Sequence, residues 1–166
     1  MKSNQPKKTS SSRADNSLYA MPAHLIRRCH QIAQGLFHEE CARHDLTPIQ
    51  YAVLSLLREH GGVDQITLAG LAALNRSTAG DVLKRLEAAE LIERLESPAD
   101  RRVWLIHLTA EGDTLIRKVL ALVERVQDRL LDPLAAEEKV LFLDFLTRIA
   151  NENNELSRAP QRTPKA

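Results

Sequence analysis

Aromatic residues are scarce in this chain. Phe, Trp and Tyr supply 4% of its 166 residues, so Leu, Ile, Val and Ala must fill the interior. A helical core suits that mix better than an all-β sandwich, which draws on aromatic and β-branched side chains. Cysteine is rarer still. Cys29 and Cys41 are the only two, with no CxxC and no disulfide framework, so a reducing cytoplasm is the expected compartment. No apolar run is long enough to span a membrane, and no signal-peptide core follows Met1. Catalytic signatures are missing as well. There is no Gly-rich phosphate loop, no GxSxG and no patterned carboxylate pair, so neither an enzyme nor a cofactor is expected. Neither sign of charge prevails: 23 Lys and Arg stand against 22 Asp and Glu, a net of +1. Nucleic-acid binders often carry a clear basic excess, so any basic surface here must come from where the charges stand.

What the chain does have is apolar periodicity. An apolar share of 43% is enough for a core, and the length fits one domain with at most an appended oligomerisation layer. Residues 1–17 are polar and Ser-rich and are expected to be a disordered tail. Lys2, Lys7, Lys8 and Arg13 make it basic, either as a solvated terminus or as an arm that touches phosphates. Residues 22–62 read as N-terminal helices. Leu25, Cys29, Ile32 and Leu36 recur at helical spacing and predict a helix from Pro22 to about Arg43. Thr47-Pro48-Ile49-Gln50 starts a second one, with a capping Thr, Pro at the first position and Gln where a capping box wants it. Gly61-Gly62 stops it. Residues 110–156 read as two C-terminal helices, one capped by Thr109 and one opening after Asp132-Pro133. Both hold more apolar side chains than one face can bury, such as Leu115, Ile116, Val119 and Leu120, then Val140, Leu141, Leu143 and Phe145. Such helices need a second partner surface, and a homodimer supplies one. Residues 157–166 contain two prolines and are expected to be a disordered tail.

Residues 63–109 carry the sharpest pattern. Ile66 reads as a single short strand. Thr67 reads as the cap of a helix through Leu74, and Asn75 as the cap of the next, from Arg76 to about Ala89. Leu91–Glu96 and Val103–Leu108 read as a hairpin whose tip is Ser97-Pro98-Ala99-Asp100-Arg101-Arg102. That is the order of a winged helix-turn-helix: one helix for a major groove and a basic ribbon for the minor groove beside it. The expected fold is therefore mainly α with a small β-hairpin wing, plus a helical dimerisation layer. Acids and bases balance in this stretch, so placement decides. Ser77, Thr78 and Gly80 are small enough to let the second helix approach a groove floor. The Ser77 and Thr78 hydroxyls suit phosphates or base edges, and the helix N-terminus favours phosphate. Arg76 and Lys84 have the reach for guanine or phosphate. Asp81 either accepts from a cytosine amino group or orients Arg85. Thr67 either touches phosphate or is an ordinary cap.

The run Leu71-Ala72, Ser77-Thr78, Leu86-Glu87, Glu90-Leu91-Ile92-Glu93-Arg94, then Asp100-Arg101-Arg102 and Leu108-Thr109-Ala110-Glu111-Gly112, resembles the MarR family of bacterial transcription regulators. The likeness spans about Pro22 to Glu155, and its specific part is the Asp-x-Arg of the wing at that distance from Leu-Thr and Glu-Gly. It implies a dimeric repressor on a pseudo-palindromic double-stranded operator, with recognition helices about one DNA turn apart, roughly 34 Å. It implies that Arg102 enters the minor groove, braced by Asp100, with Arg101 on the backbone. It implies release by a small aromatic acid held between the dimer layer and the winged part. His24, Arg28, Gln31 and Tyr51 are the candidate liners here, since Arg or His pairs a carboxylate and Tyr stacks or donates. Overall likeness is to regulators of nicotinate breakdown, whose inducer is a hydroxylated nicotinate. Part of the family senses peroxide through a cysteine near Cys29, so a thiol-based redox repressor is the alternative. The other reading of Cys29 is a buried core residue on the apolar helix face. His38, Cys41, His44 and Asp45 have a spacing compatible with zinc, but histidines near a helix end are commonly surface residues, and no metal is expected.

Overall fold

The computed structural model describes residues 17–163. The basic arm with Lys2, Lys7, Lys8 and Arg13 lies outside the described residues. Six helices and a small sheet follow in chain order: α1 Pro22–Glu40, α2 Pro48–His60, β1 Val63–Asp64, α3 Gln65–Leu71, α4 Arg76–Ala88, β2 Ile92–Glu96, β3 Trp104–Leu108, α5 Ala110–Leu131 and α6 Ala136–Glu152. The three strands are antiparallel in the order β1-β3-β2. Ile92 faces Leu108, Glu96 faces Trp104, and Val63 faces Ile106 across the other edge of β3.

Local chemistry sets most of the boundaries. The Thr47 hydroxyl accepts the Gln50 amide at 3.3 Å while the Gln50 side chain accepts the Thr47 amide at 2.8 Å, the reciprocal box expected for α2. Gly61 ends that helix with φ +71, in the left-handed region open to glycine. The Asn75 side chain accepts the Thr78 amide at 2.9 Å and opens α4. Thr109 accepts the Gly112 amide at 3.0 Å and opens α5.

Several expectations need correction. Helix α1 stops at Glu40, short of Arg43, because Ala42–His44 tighten into a 3-10 turn and Asp45 takes φ +45. The short strand is Val63–Asp64, and Ile66 lies inside α3 with 70% of its surface exposed. The cap of α3 is Asp64, not Thr67. Its carboxylate accepts the Ile66 amide at 2.8 Å and the Thr67 amide at 3.1 Å, and the Thr67 hydroxyl also donates to it. A charged acceptor at a helix N-terminus outcompetes a hydroxyl three residues on. Burial works to raise the Asp64 pKa, but the Thr67 hydroxyl and the two amides hold the carboxyl below its ordinary value. Helix α3 ends at Leu71 because Ala73 turns left-handed, φ +51, and Leu74 donates back to the Ala69 carbonyl at 2.8 Å. Helix α6 opens at Ala136, where Glu138 accepts the Ala135 amide at 2.8 Å. The segment after Ser157 is not a loose end as far as Thr163: Gln161 and Arg162 bond to the last turn of α3.

One core runs through the molecule. Leu54 and Leu57 from α2, Leu68 from α3, Leu83 and Leu86 from α4, Ile106 from β3, and Ile116 and Val119 from α5 are all buried. Phe37, Val123 and Val126 extend it up between α1 and α5. Glu40 ties the same two helices from outside, accepting from Arg129 at 2.8 Å and Arg125 at 3.1 Å. Helix α6 buries none of its residues. Val140, Leu141, Leu143, Phe145 and Ile149 stay exposed on it, as do Leu25, Ile26 and Ile32 on α1. The surplus read for the last helix is thus left uncovered by the chain itself, whereas α5 buries Ile116, Val119, Val123 and Val126 in this chain's own core.

The start of α5 is the tightest joint. The Thr109 hydroxyl donates to the Glu90 carbonyl at 2.8 Å, and the Thr109 amide donates to the Leu91 carbonyl at 3.1 Å. A Cβ on Gly112 would lie 2.2 Å from the Leu91 carbonyl oxygen and 2.7 Å from Leu108 Cδ1. Alanine is a better helix former than glycine by about 1 kcal/mol. Gly112→Ala is nevertheless expected to destabilise the chain by about 1–3 kcal/mol through overpacking. A denaturant melt that shows Gly112→Ala equal to or more stable than the parent would contradict this reading of the joint.

Candidate nucleic-acid interface and effector cleft

Helix α4 has two faces. Ala79, Val82, Leu83 and Leu86 are buried against the core. The opposite face presents Ser77, Asp81, Lys84 and Arg85, all exposed, with exposed Arg76 at its start. Thr78 is half-buried and spends its amide on the Asn75 cap. Among the described residues, Arg76, Lys84 and Arg85 form no ion pair, and Asp81 makes no hydrogen bond to Arg85. The free chain therefore holds three cations open on the face that a groove would meet. Gly80 keeps that surface low, and the side chain of Gln65 comes down beside it, 3.6 Å from where a Cβ would stand. Thr67 stands away from this role, since its hydroxyl is committed to Asp64.

The wing is shaped by its own backbone. The Ser97 amide donates to the Val103 carbonyl and the Val103 amide to the Asp100 carbonyl, each at 2.9 Å. Ser97 is buried beneath the tip, and its hydroxyl accepts the Ala99 amide at 3.3 Å. The Asp100 carboxylate accepts the Arg102 amide at 2.9 Å. The brace implied by Asp-x-Arg thus acts on the main chain of Arg102. It leaves the guanidiniums of Arg101 and Arg102 exposed and unpaired among the described residues. Arg94 on β2 pairs with Glu87 in the last turn of α4 at 3.2 Å. That link between α4 and the wing escaped the sequence reading, which did not pair the two residues.

Tyr51 lines a cavity of about 370 Å³ with Ser55, Arg58, Glu59, Ile116 and Leu120. It lies between α2, which leads into the winged segment, and α5, which leads out of it. Ser55 Oγ is buried and has no partner. Arg58 pairs with Asp113 at 3.2 Å, and Asp113 also pairs with Arg117 at 2.6 Å. Tyr51 packs its ring against Phe37 at 6.0 Å. Tyr51, Ser55 and Arg58 are spaced i, i+4, i+7 on one helix face, a signal the sequence offered and the reading passed over.

His24, Arg28 and Gln31 do not line that cavity. At about 100° per residue they share one face of α1, beside the exposed Leu25 and Ile32 stripe. Gln31 accepts from Arg27 at 2.8 Å, and Arg28 is exposed. His24 meets the Tyr19 ring edge-on at 5.8 Å, and its Nε2 is buried without a partner.

Cys29 is exposed and Cys41 is buried. Cys29 borders an apolar hollow of about 500 Å³ with Leu25, Ile26, Leu130, Phe142 and Leu146, because the stripe that was expected to bury it faces away from this chain's core. His30 lines the same hollow, and no Lys or Arg does. Burial pushes the Cys41 thiol up, the Glu40 carboxylate adds to that, and Arg125 partly opposes it. His38, Cys41 and Asp45 share a hollow of only about 120 Å³. Among the described residues, no three His, Cys, Asp or Glu side chains converge on one point. No helix of the described residues is long and apolar enough to cross a membrane.

The sequence and fold are similar to those of known proteins. The MarR family model matches residues 46–104, from the start of α2 into the wing. The HTH-type transcriptional repressor NicR of Pseudomonas putida is 30% identical over 152 residues, 89% of this chain and 96% of that protein. The PcaV transcriptional regulator of Streptomyces coelicolor, solved in complex with its natural ligand, is 35% identical. It shares the fold with a TM-score of 0.76 over 81% of this chain and 95% of its own. Bordetella bronchiseptica BpsR, whose DNA binding is regulated by 6-hydroxynicotinic acid, is 27% identical with a TM-score of 0.77 over 81% of this chain and 96% of its own. Helix-turn-helix, wing and relatives agree, and the chain belongs to the MarR family: it is a DNA-binding transcriptional repressor of winged-helix type and not an enzyme.

Proposed function

We propose that this repressor works as a homodimer on a pseudo-palindromic operator and lets go when a small aromatic acid enters the cleft beside Tyr51. Residues 63–109 read the DNA. The helices of residues 22–62 and 110–156 form the dimer layer, and the exposed apolar faces of α1 and α6 are what the second copy covers. Ser77, Thr78, Arg76 and Lys84 meet the major groove and its phosphates, and Arg85 and Asp81 stand at its edge. Arg102 reaches the minor groove and Arg101 the backbone. A regulator of this kind acts on the chromosome, hence in the cytoplasm.

The observation that carries the effector reading is the cleft itself. A guanidinium, an orphaned hydroxyl and an aromatic ring meet the apolar Ile116 and Leu120 between the two helices that frame the winged segment. An acid bound there competes with Asp113 for Arg58. It thereby loosens a pair that spans α2 and the first turn of α5. Its effect on DNA equals its differential affinity for the two arrangements of that joint. His24, Arg28 and Gln31 belong to the second side of the cleft, completed in the dimer. A hydroxylated nicotinate is the leading acid, by likeness to BpsR.

Two experiments test this. A duplex selected by the intact chain from a random pool should bind about 10- to 100-fold more weakly to Arg102→Ala, as the loss of one groove contact implies. Affinity for the parent should also fall steeply with salt. Equal binding by both proteins would remove Arg102 from the interface. Separately, 6-hydroxynicotinate at 100 times its Kd should raise the melting temperature by about 5–10 °C, and Arg58→Ala should remove most of that shift. If no small aromatic acid shifts the melt, the effector reading fails. If the shift survives Arg58→Ala, the acid binds elsewhere.

A further inference from the structure

We propose that the C-terminal segment is a strap that positions the helix-turn-helix for DNA, with Gln161 and Arg162 as its positioning residues. The strap leaves the end of α6, turns through Asn154–Leu156 and comes back onto α3. The Arg162 amide donates to the Gly70 carbonyl at 2.9 Å. The Gln161 side chain donates to the Leu71 carbonyl at 3.2 Å. These are carbonyls of the last turn of α3; the Gly70 carbonyl also accepts the Ala73 amide at 3.1 Å, so the strap adds a second donor there. Asn154 grips both main-chain groups of Gln161, accepting its amide at 2.8 Å and donating to its carbonyl at 3.1 Å. The Arg162 guanidinium closes the loop on both oxygens of Glu155, at 2.5 and 2.9 Å.

A second observation points the same way. Gly70 stands inside α3, where glycine costs a helix roughly 0.5–1 kcal/mol relative to alanine. A Cβ there would meet Arg162 Cβ at 3.0 Å. The glycine gives the strap room to lie against the helix. The consequence concerns geometry. Helix α3 packs on α4 and ends in the turn that leads into it, so whatever holds the end of α3 helps set the direction of the recognition helix. The strap holds it from α6, bypassing α5. This role needs only the DNA binding of the winged segment and does not depend on which effector the cleft takes.

Two variants test it. One ends after Leu156, and one is the full chain with Arg162→Pro, which removes both the main-chain donor and the partner of Glu155. Each is titrated with the pool-selected duplex and with an unrelated duplex at the same salt, and its melting temperature is recorded. The expected result is about a 10-fold loss of the ratio between selected and unrelated binding in both variants, because the phosphate-contacting cations remain while their aim is lost. A ratio unchanged in either variant overturns the proposal, even if stability or both affinities fall together, since that pattern marks a merely structural tail.

Discussion

The approach of α5 to the Leu91 carbonyl is the constraint on which the rest of the molecule depends. Below it are the recognition helix and the wing; above it are the helices whose apolar faces remain uncovered. The Thr109 amide and hydroxyl bond to Leu91 and Glu90 at the turn between α4 and β2, and Gly112 lets the helix backbone lie almost on that carbonyl. The contact is too close to act as a soft hinge. A rotation of α5 must carry the end of α4 with it. Asp113, one residue on, extends the joint to α2 through Arg58. Any ligand that draws Arg58 away acts on the place where the two halves meet.

The near-neutral charge also acquires a physical meaning. Four acids pair with five arginines away from α4 and the wing tip: Glu39 and Glu40 with Arg125 and Arg129, Asp113 with Arg58 and Arg117, Glu155 with Arg162. Glu87 holds Arg94 at the root of the wing. Arg76, Lys84, Arg85, Arg101 and Arg102 form no such pair among the described residues. Asp81 and Asp100 are exposed beside them, so the field at α4 and the wing tip is set by where these few side chains stand and not by a net basic excess.

Helix starts that depend on neighbours within three residues were legible in the sequence. Thr47, Asn75 and Thr109 cap as read, and the hairpin falls where alternation and Pro98 put it. Thr67 misled because Asp64 competes for the same amides, and a charged acceptor prevails. The features that were missed are those made across long separations. Gly112 against Leu91, Arg94 against Glu87 and Gln161 against the carbonyl of Leu71 are contacts that no local pattern announces. Tyr51, named for its chemistry, borders a hollow with Ser55 and Arg58 of the same face, which were not named. His24, Arg28 and Gln31 share a face too, but on a helix whose outer side this chain leaves open. Cys29 failed for the same reason: an apolar stripe does not say against what it packs, and this chain leaves Cys29 exposed.

The central claim is that two recognition helices are held about one DNA turn apart and that the cleft shifts their spacing. It can be measured as a distance. A spin label on Ala88→Cys, at the exposed end of α4, in a chain with Cys29→Ser and Cys41→Ala, reports the separation by pulsed electron resonance. Bound to its selected duplex, the protein should give one narrow distance between copies, on the order of 34 Å. Saturating 6-hydroxynicotinate without DNA should move or broaden it. An absence of any distance between copies, or one identical distance in the DNA-bound and effector-bound states, would contradict the account.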